Sequence, residues 1–282
     1  MDLLDYEFFR NALIGISLIA VASSVIGTYI FARRLVAIAG GITHACFGGL
    51  GLGYFTGINP ILMAGVFAVG SSVGVEWVSS RHNVREDSAI AVVWSLGMAV
   101  GVLFVFLTPG YVPELNSFLF GNILTISQGD IVTFAIFTLL LIAFVAAFYH
   151  KIVVCAFDRD FARVSGMPTA FITTVMTVFT AVAIVLTIKL VGVMLLMSML
   201  SLPQMIAETR YHRLNRLMVA SGAVSLMCCI GGLLAACYIE VPCSALIVII
   251  MALVYAVART AAWIARRRSA ASVEEYNREA TR

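Results

Sequence analysis

The sequence predicts an all-α membrane protein, a polytopic helical bundle of about nine transmembrane helices. Hydrophobic residues make up 61% of the 282 positions and charged residues only 12%, against about 25% charged in an ordinary soluble domain. Mean hydropathy is +1.02. Uncharged runs long enough to cross a bilayer recur along the chain, and Lys and Arg fall in alternate connections between them.

The first run covers roughly 12–32 and follows Asp2, Asp5 and Glu7. It lacks a basic leader and is long enough to span, so it reads as a helix and not a cleaved signal peptide. Arg33 and Arg34 precede the second run, roughly 35–55. The third, roughly 60–79, carries Glu76 near its end and is followed by Arg81 and Arg85; the fourth is roughly 88–108. Tyr111 to Asp130 is apolar but too short to span, which fits a re-entrant or interfacial helix. Asp130 is the expected N-cap of the fifth run, roughly 131–150. Lys151, Arg159 and Arg163 lead to the sixth, roughly 169–188. Lys189 precedes a short seventh run, roughly 190–207, and Arg210, Arg213 and Arg216 follow it. The eighth is roughly 217–239. The ninth, roughly 243–264, holds Arg259 and ends at Arg266, Arg267 and Arg268.

The other set of connections holds only Arg10 and Lys189 as basic residues. The positive-inside rule then sets the N-terminus outside and the C-terminus in the cytoplasm. The net charge of +3 comes from these loops and reads as topology with lipid contact, not as nucleic-acid binding. Residues 1–268 form one transmembrane domain, and 269–282 a polar cytoplasmic tail.

His44 stands out inside the uncharged second run. An ionisable group at membrane depth usually faces a bundle interior or a pathway. Around it Gly41, Ala45, Gly49 and Gly53 recur at every fourth position, with Gly40 and Gly48 spaced the same way about the histidine. Such a ladder predicts close packing against a neighbouring helix. His44 is therefore a candidate metal ligand or proton carrier, the alternative being a histidine satisfied by a nearby carbonyl. Glu76 and Arg259 lie near the expected cytoplasmic ends, where long side chains snorkel.

Several chemistries are excluded. The chain has no HExxH, GxSxG or Walker A pattern, and its only lysines are Lys151 and Lys189. It is not an enzyme by these motifs, and too few intramembrane carboxylates remain for a proton-driven carrier. An outside energy source is expected. Cysteines 46, 155, 228, 229, 237 and 243 lack zinc-site spacing and read as small apolar side chains. Met194, Met197 and Met199 read as packing.

Phe157 to Gly166 reads as a short capped helix, with Asp158 as N-cap, Gly166 at the left-handed C′ position and Pro168 beyond it. Phe161, Ala162 and Ser165 are expected on one face, Arg159 and Arg163 on another. Such a helix suits docking to a soluble partner; a plain interfacial turn with its arginines at anionic headgroups is the alternative.

These elements together resemble the permease subunit of bacterial ATP-binding-cassette importers for zinc, manganese and iron, a type II importer-like fold. The resemblance rests on Arg33-Arg-Leu35 with Gly40-Gly-Ile-Thr-His-Ala45, on Arg85 to Ile90, and on Leu119 to Ser127 closed by Asp130. It rests also on Phe157-Asp158 with Phe161-Ala162 and Gly166, and on Lys189 to Val193 leading to Pro203. It implies two permease copies, as a homodimer, with separate ATPase subunits below and an external solute-binding protein above. ATP is then bound and hydrolysed on the partner, no cofactor is held permanently, and the divalent metal ion is cargo. It further implies that His44 contacts the metal, that Gly40, Gly41, Gly48 and Glu240 are pathway candidates, and that Phe157, Asp158, Phe161, Ala162 and Gly166 couple to the ATPase. The family's common element has an aspartate four residues before the histidine; here that position is Gly40. Glu240-Val-Pro242-Cys243-Ser244 resembles a family element with glutamate in place of aspartate. Import of a chelated metal or siderophore is a second reading, and a stand-alone channel or ion-coupled carrier a third.

Overall fold

Hydropathy of this strength leaves each buried backbone only one way to satisfy its polar groups without water, and the chain takes it: it is helical throughout its spans. The computed structural model describes residues 6–82, 84–109, 121 and 123–280. The elements are α1 (Glu7–Ala32), α2 (Val36–Thr56), α3 (Pro60–His82) and α4 (Glu86–Leu107), then a 3₁₀ turn (Ile123–Thr125). There follow α5 (Gln128–Phe157), α6 (Arg159–Val164), α7 (Thr169–Met199), α8 (Leu202–Glu208), α9 (Leu214–Ile239) and α10 (Cys243–Ala280). The interfacial helix expected from Tyr111 lies, for residues 111–120, outside the described residues; its remainder forms the 3₁₀ turn.

Eight helical stretches among the described residues are long and apolar enough to cross a membrane. The longest of them is Thr169–Glu208, and its backbone is broken inside. Within α7, Gly192 takes φ 81°, ψ 172°, a region essentially restricted to glycine. The chain doubles back there. Lys189, before the break, pairs with Asp130 at the start of α5. After the break, Met197 meets Gly40, and Gly27 faces Gln204 and the Leu200 carbonyl. Tyr211 and His212 then share a cavity with Phe31, Ala32, Arg34 and Phe157. The sixth and seventh legs thus run in opposite directions, the seventh as two short pieces, and nine legs result among the described residues.

The two ends of the bundle differ in charge. At one, the turns carrying Arg33, Arg85, Arg159 and Arg210 to Arg216 converge. At the other, the Gln128 amide donates to Glu7 at 2.9 Å and the Asn11 amide to the Ile126 carbonyl at 3.3 Å. Asp130 is not the N-cap of α5. Ser127 is, in a capping box: its hydroxyl accepts from the Asp130 N–H at 3.2 Å, and the Asp130 carboxylate accepts the Ser127 N–H at 3.3 Å. The Ser-x-x-Asp spacing starts the helix three residues earlier than Asp130 alone would and frees the carboxylate's other oxygen for Lys189.

A buried core joins α1, α2, α5 and α7. Gln204, fully buried, donates to the Ser23 carbonyl at 3.2 Å and ties α8 to α1. Cys46, Cys155, Cys228 and Cys229 are buried in this core region as expected, while Cys237 is exposed. α10 continues unbroken past Arg268 to Ala280.

Candidate functional site

α2 is positioned by glycine. Its neighbours approach so closely that a Cβ on Gly51 would stand 2.4 Å from the Gly101 carbonyl of α4, and one on Gly49 2.4 Å from the Met63 carbonyl of α3. Gly97 and Gly101 of α4 return the contact against Ala45 and Phe47 at 2.5 Å. The expected single ladder divides. Gly41, Ala45 and Gly51 face α4, Gly48 lies between α4 and α3, and Gly49 and Gly53 face α3. A four-residue step advances slightly more than one helical turn, so a ladder that starts on α4 winds round to α3.

His44 sits about 12 Å along the α2 axis from Val36 and is half-buried. Trp94 of α4 stacks on it at 4.4 Å and 13°. Phe47 flanks it at 5.9 Å, and its Nδ1 lies 3.2 Å from the Met98 sulfur. The imidazole is thus held on a soft, aromatic shelf, with no carboxylate against it among the described residues. Gly40, in the place of the family's aspartate, explains part of this: a Cβ there would meet the Trp94 ring at 3.1 Å and the Met197 methyl at 3.2 Å. Gly41 lies under Ile90, and Gly48 under Phe67 and the Gly97 carbonyl. Among the described residues no three His, Cys, Asp or Glu side chains gather to hold a metal ion.

Glu240 is not brought to His44. It ends α9 in the left-handed conformation, φ 56° and ψ 43°. It lines a separate cavity of about 470 Å³ with Gly121, Leu233, Cys237, Pro242 and Cys243, at the acidic end of the bundle.

At the basic end the short helix forms as its caps dictate. The Asp158 carboxylate accepts the Phe161 N–H at 2.9 Å. At the other terminus the Met167 N–H reaches the Ala162 carbonyl and the Gly166 N–H the Arg163 carbonyl, both at 3.0 Å. This is a Schellman closure, with Gly166 at φ 70°. Phe161 and Ala162 do not share a face: Ala162 is fully buried, whereas Phe161 is 58% exposed beside Phe157 at 62% and Val164 at 90%. Successive helical residues point 100° apart, and the one methyl that fits the interior goes in. Two large apolar side chains, Phe161 and Val164, therefore stand exposed on a rigid six-residue helix, with Phe157 beside them at the end of α5.

Arg159 does not point to headgroups. It turns inward and bridges Glu76 of α3 and Glu86 of α4, each at 3.5 Å. Arg33 pairs with the same Glu86 at 3.1 Å and donates to the Tyr29 hydroxyl at 3.2 Å. These charges are 12–25% exposed. The sequence reading missed this cluster, as it missed Trp94 and Met98. Its signal was the presence of Glu76 and Glu86 among otherwise basic turns.

A helical membrane bundle with a glycine-packed histidine helix and a short, capped, apolar-faced helix has the form of a membrane transport permease. The comparisons with known proteins agree. The pattern of the ABC 3 transport family matches residues 5–262, and the chain belongs to that family. It is 33% identical over 242 residues to a Chlamydia pneumoniae protein named "Probable metal transport system membrane protein", covering 84% of this chain and 83% of that one. It is 25% identical over 256 residues to the manganese transport system membrane protein MntC of Listeria monocytogenes, covering 91% of each. Its fold matches a chain of the PsaBC structure from Streptococcus pneumoniae with TM-score 0.79 and 22% identity, over 91% of this chain and 92% of that one.

Proposed function

We propose that this chain is the permease subunit of an ATP-binding-cassette importer that moves a divalent first-row metal ion across the cytoplasmic membrane into the cell. The observation that carries the reading is α6: a helix fixed by caps at both ends, presenting Phe161 and Val164 to solvent next to Phe157 at the end of α5. A channel has no use for such a helix, and a chain without a nucleotide site needs a partner that has one. The basic end is then cytoplasmic, with the N-terminus outside and the C-terminus inside. A P-loop ATPase docks on α6, a solute-binding protein delivers the ion at the acidic end, and a second permease copy completes the pore.

His44 is the metal contact in this reading. A lone imidazole beside a thioether suits a borderline or soft ion such as zinc. The names of the Listeria and Chlamydia relatives favour manganese and metal transport in general. Remaining ligands come from water, backbone carbonyls or the second copy. Weak binding suits transport, because a closed site would retain the ion. A bulky chelate is disfavoured by Trp94, which fills the space beside the imidazole.

The test is reconstitution. The permease, a P-loop ATPase partner and the binding protein are placed in vesicles, and uptake of radiolabelled Mn²⁺ and Zn²⁺ is followed with and without ATP. ATP-dependent uptake that His44→Ala lowers while assembly stays normal supports the reading. Uptake without ATPase, indifferent to Phe161→Asp, rejects it in favour of a channel or carrier.

A further inference from the structure

The docking helix does not pack along the histidine helix as α3 and α4 do, so the connection between them runs through other elements. Arg159 is the first residue of α6, and its guanidinium reaches two helices at once: Glu76 on α3 and Glu86 in the first turn of α4. Those are the two helices that clasp α2, α3 through Gly49 and Gly53 and α4 through Gly41, Gly48 and Gly51. Arg33, at the end of α1, holds the same Glu86 oxygen, Oε1, at 3.1 Å.

We propose that Arg159 is a positioning residue that transmits displacement of α6 to α3 and α4, and through their backbone contacts to α2 and His44. This rests on the importer reading and adds the route by which the ATPase acts on the pathway. Three features support it. The guanidinium is a planar fork able to hold two carboxylates from different elements, which an ammonium does less well. The cluster is mostly buried, so water screens it little and its charges remain tied as the elements move. Its geometry is also incomplete: among the described residues, the second Glu76 oxygen and the Arg159 Nε are buried without hydrogen-bond partners. Buried polar atoms are normally satisfied. A small shift of α6 would exchange the 3.5 Å contacts for closer ones, as expected of a joint with two settings.

The experiment measures metal moved per ATP hydrolysed, using Mn²⁺ and Zn²⁺ in vesicles holding the full complex. Arg159→Met is expected to retain the ATPase on purification and to lower uptake per ATP by about tenfold, the size of an ordinary coupling between sites. The exchanged pair Glu76→Arg with Arg159→Glu is expected to recover part of that loss, as interacting partners do. Arg159→Lys keeps the charge and falls between; it also serves if Arg159→Met fails to reach the membrane. An unchanged ratio with only a lowered melting temperature overturns the proposal, because the cluster is then merely structural. Loss of ATPase binding in Arg159→Met also overturns it, because the residue then acts in docking. If the unaltered permease binds no ATPase, it is the importer reading that fails.

Discussion

Trp94 lies flat on His44, with ring centroids 4.4 Å apart, and the same ring closes over Gly40, where a Cβ would stand 3.1 Å away. Positions 40, 44 and 94 are therefore one steric decision spread over two helices. The absence of a carboxylate four residues before the histidine and the presence of a tryptophan on α4 explain each other.

Gly40→Asp should be tolerated only when Trp94 is cut back. Alone it overpacks the shelf and costs about 1–3 kcal/mol, read as a lower melting temperature in detergent. Combined with Trp94→Ala it should recover stability and tighten Mn²⁺ binding. Equal loss in the single and double variants would separate the two positions.

Backbone contact along α2 predicts a sharp contrast between glycines. Gly51→Ala and Gly97→Ala place a methyl within 2.4–2.5 Å of neighbouring backbone and should cost more than about 2 kcal/mol. Gly65, on α3, has nothing within 4 Å. Gly65→Ala should be neutral or stabilise by up to about 1 kcal/mol through helix propensity. Thermal melts of the three variants decide this.

Gly192→Ala should be damaging for a different reason. Its φ and ψ suit only glycine, and the strain is on the order of 1–3 kcal/mol. Gly121 packs on the same peptide, its Cβ position 2.2 Å from the Val191 carbonyl carbon, so Gly121→Ala should fail similarly. Normal yield and melting of either variant would argue against the break at this residue.

The caps of α6 should matter for docking more than for folding. Asp158→Ala removes a cap worth about 1 kcal/mol, and Gly166→Ala strains the C′ position by a similar amount. Both should weaken co-purification of the ATPase while leaving the bundle's melting temperature nearly unchanged. Phe161→Asp should abolish co-purification.

The spans were legible because burial in lipid writes itself into hydropathy, and their alternation because basic residues cluster at one end. The caps of α6 were legible because Asp158, Gly166 and Pro168 act within a few residues of themselves. What could not be read is contact between distant segments. His44 meets Met98 across 54 positions, and Arg33 meets Glu86 across 53; neither pairing leaves a local pattern. The glycine spacing announced close packing but not its partners, since the ladder winds from α4 to α3. Ser127 was overlooked beside Asp130 although its spacing is a capping signal.

The break at Gly192 bears on how the protein enters the membrane. The seventh leg consists of Val193 to Met199 and Leu202–Glu208, each about 10 Å long, against about 30 Å of hydrocarbon. Neither piece would be recognised as a span by the insertion machinery. The interruption between Met199 and Leu202 is stable at that depth only when surrounded by protein, here by Ser23 and Gly27 of α1, which meet Gln204 and the Leu200 carbonyl. The leg can settle only after α1 is in place to receive it, so assembly of this stretch is a folding step and not an insertion step. Variants that loosen Gln204 from α1 should be lost to quality control during synthesis, before transport is ever at issue.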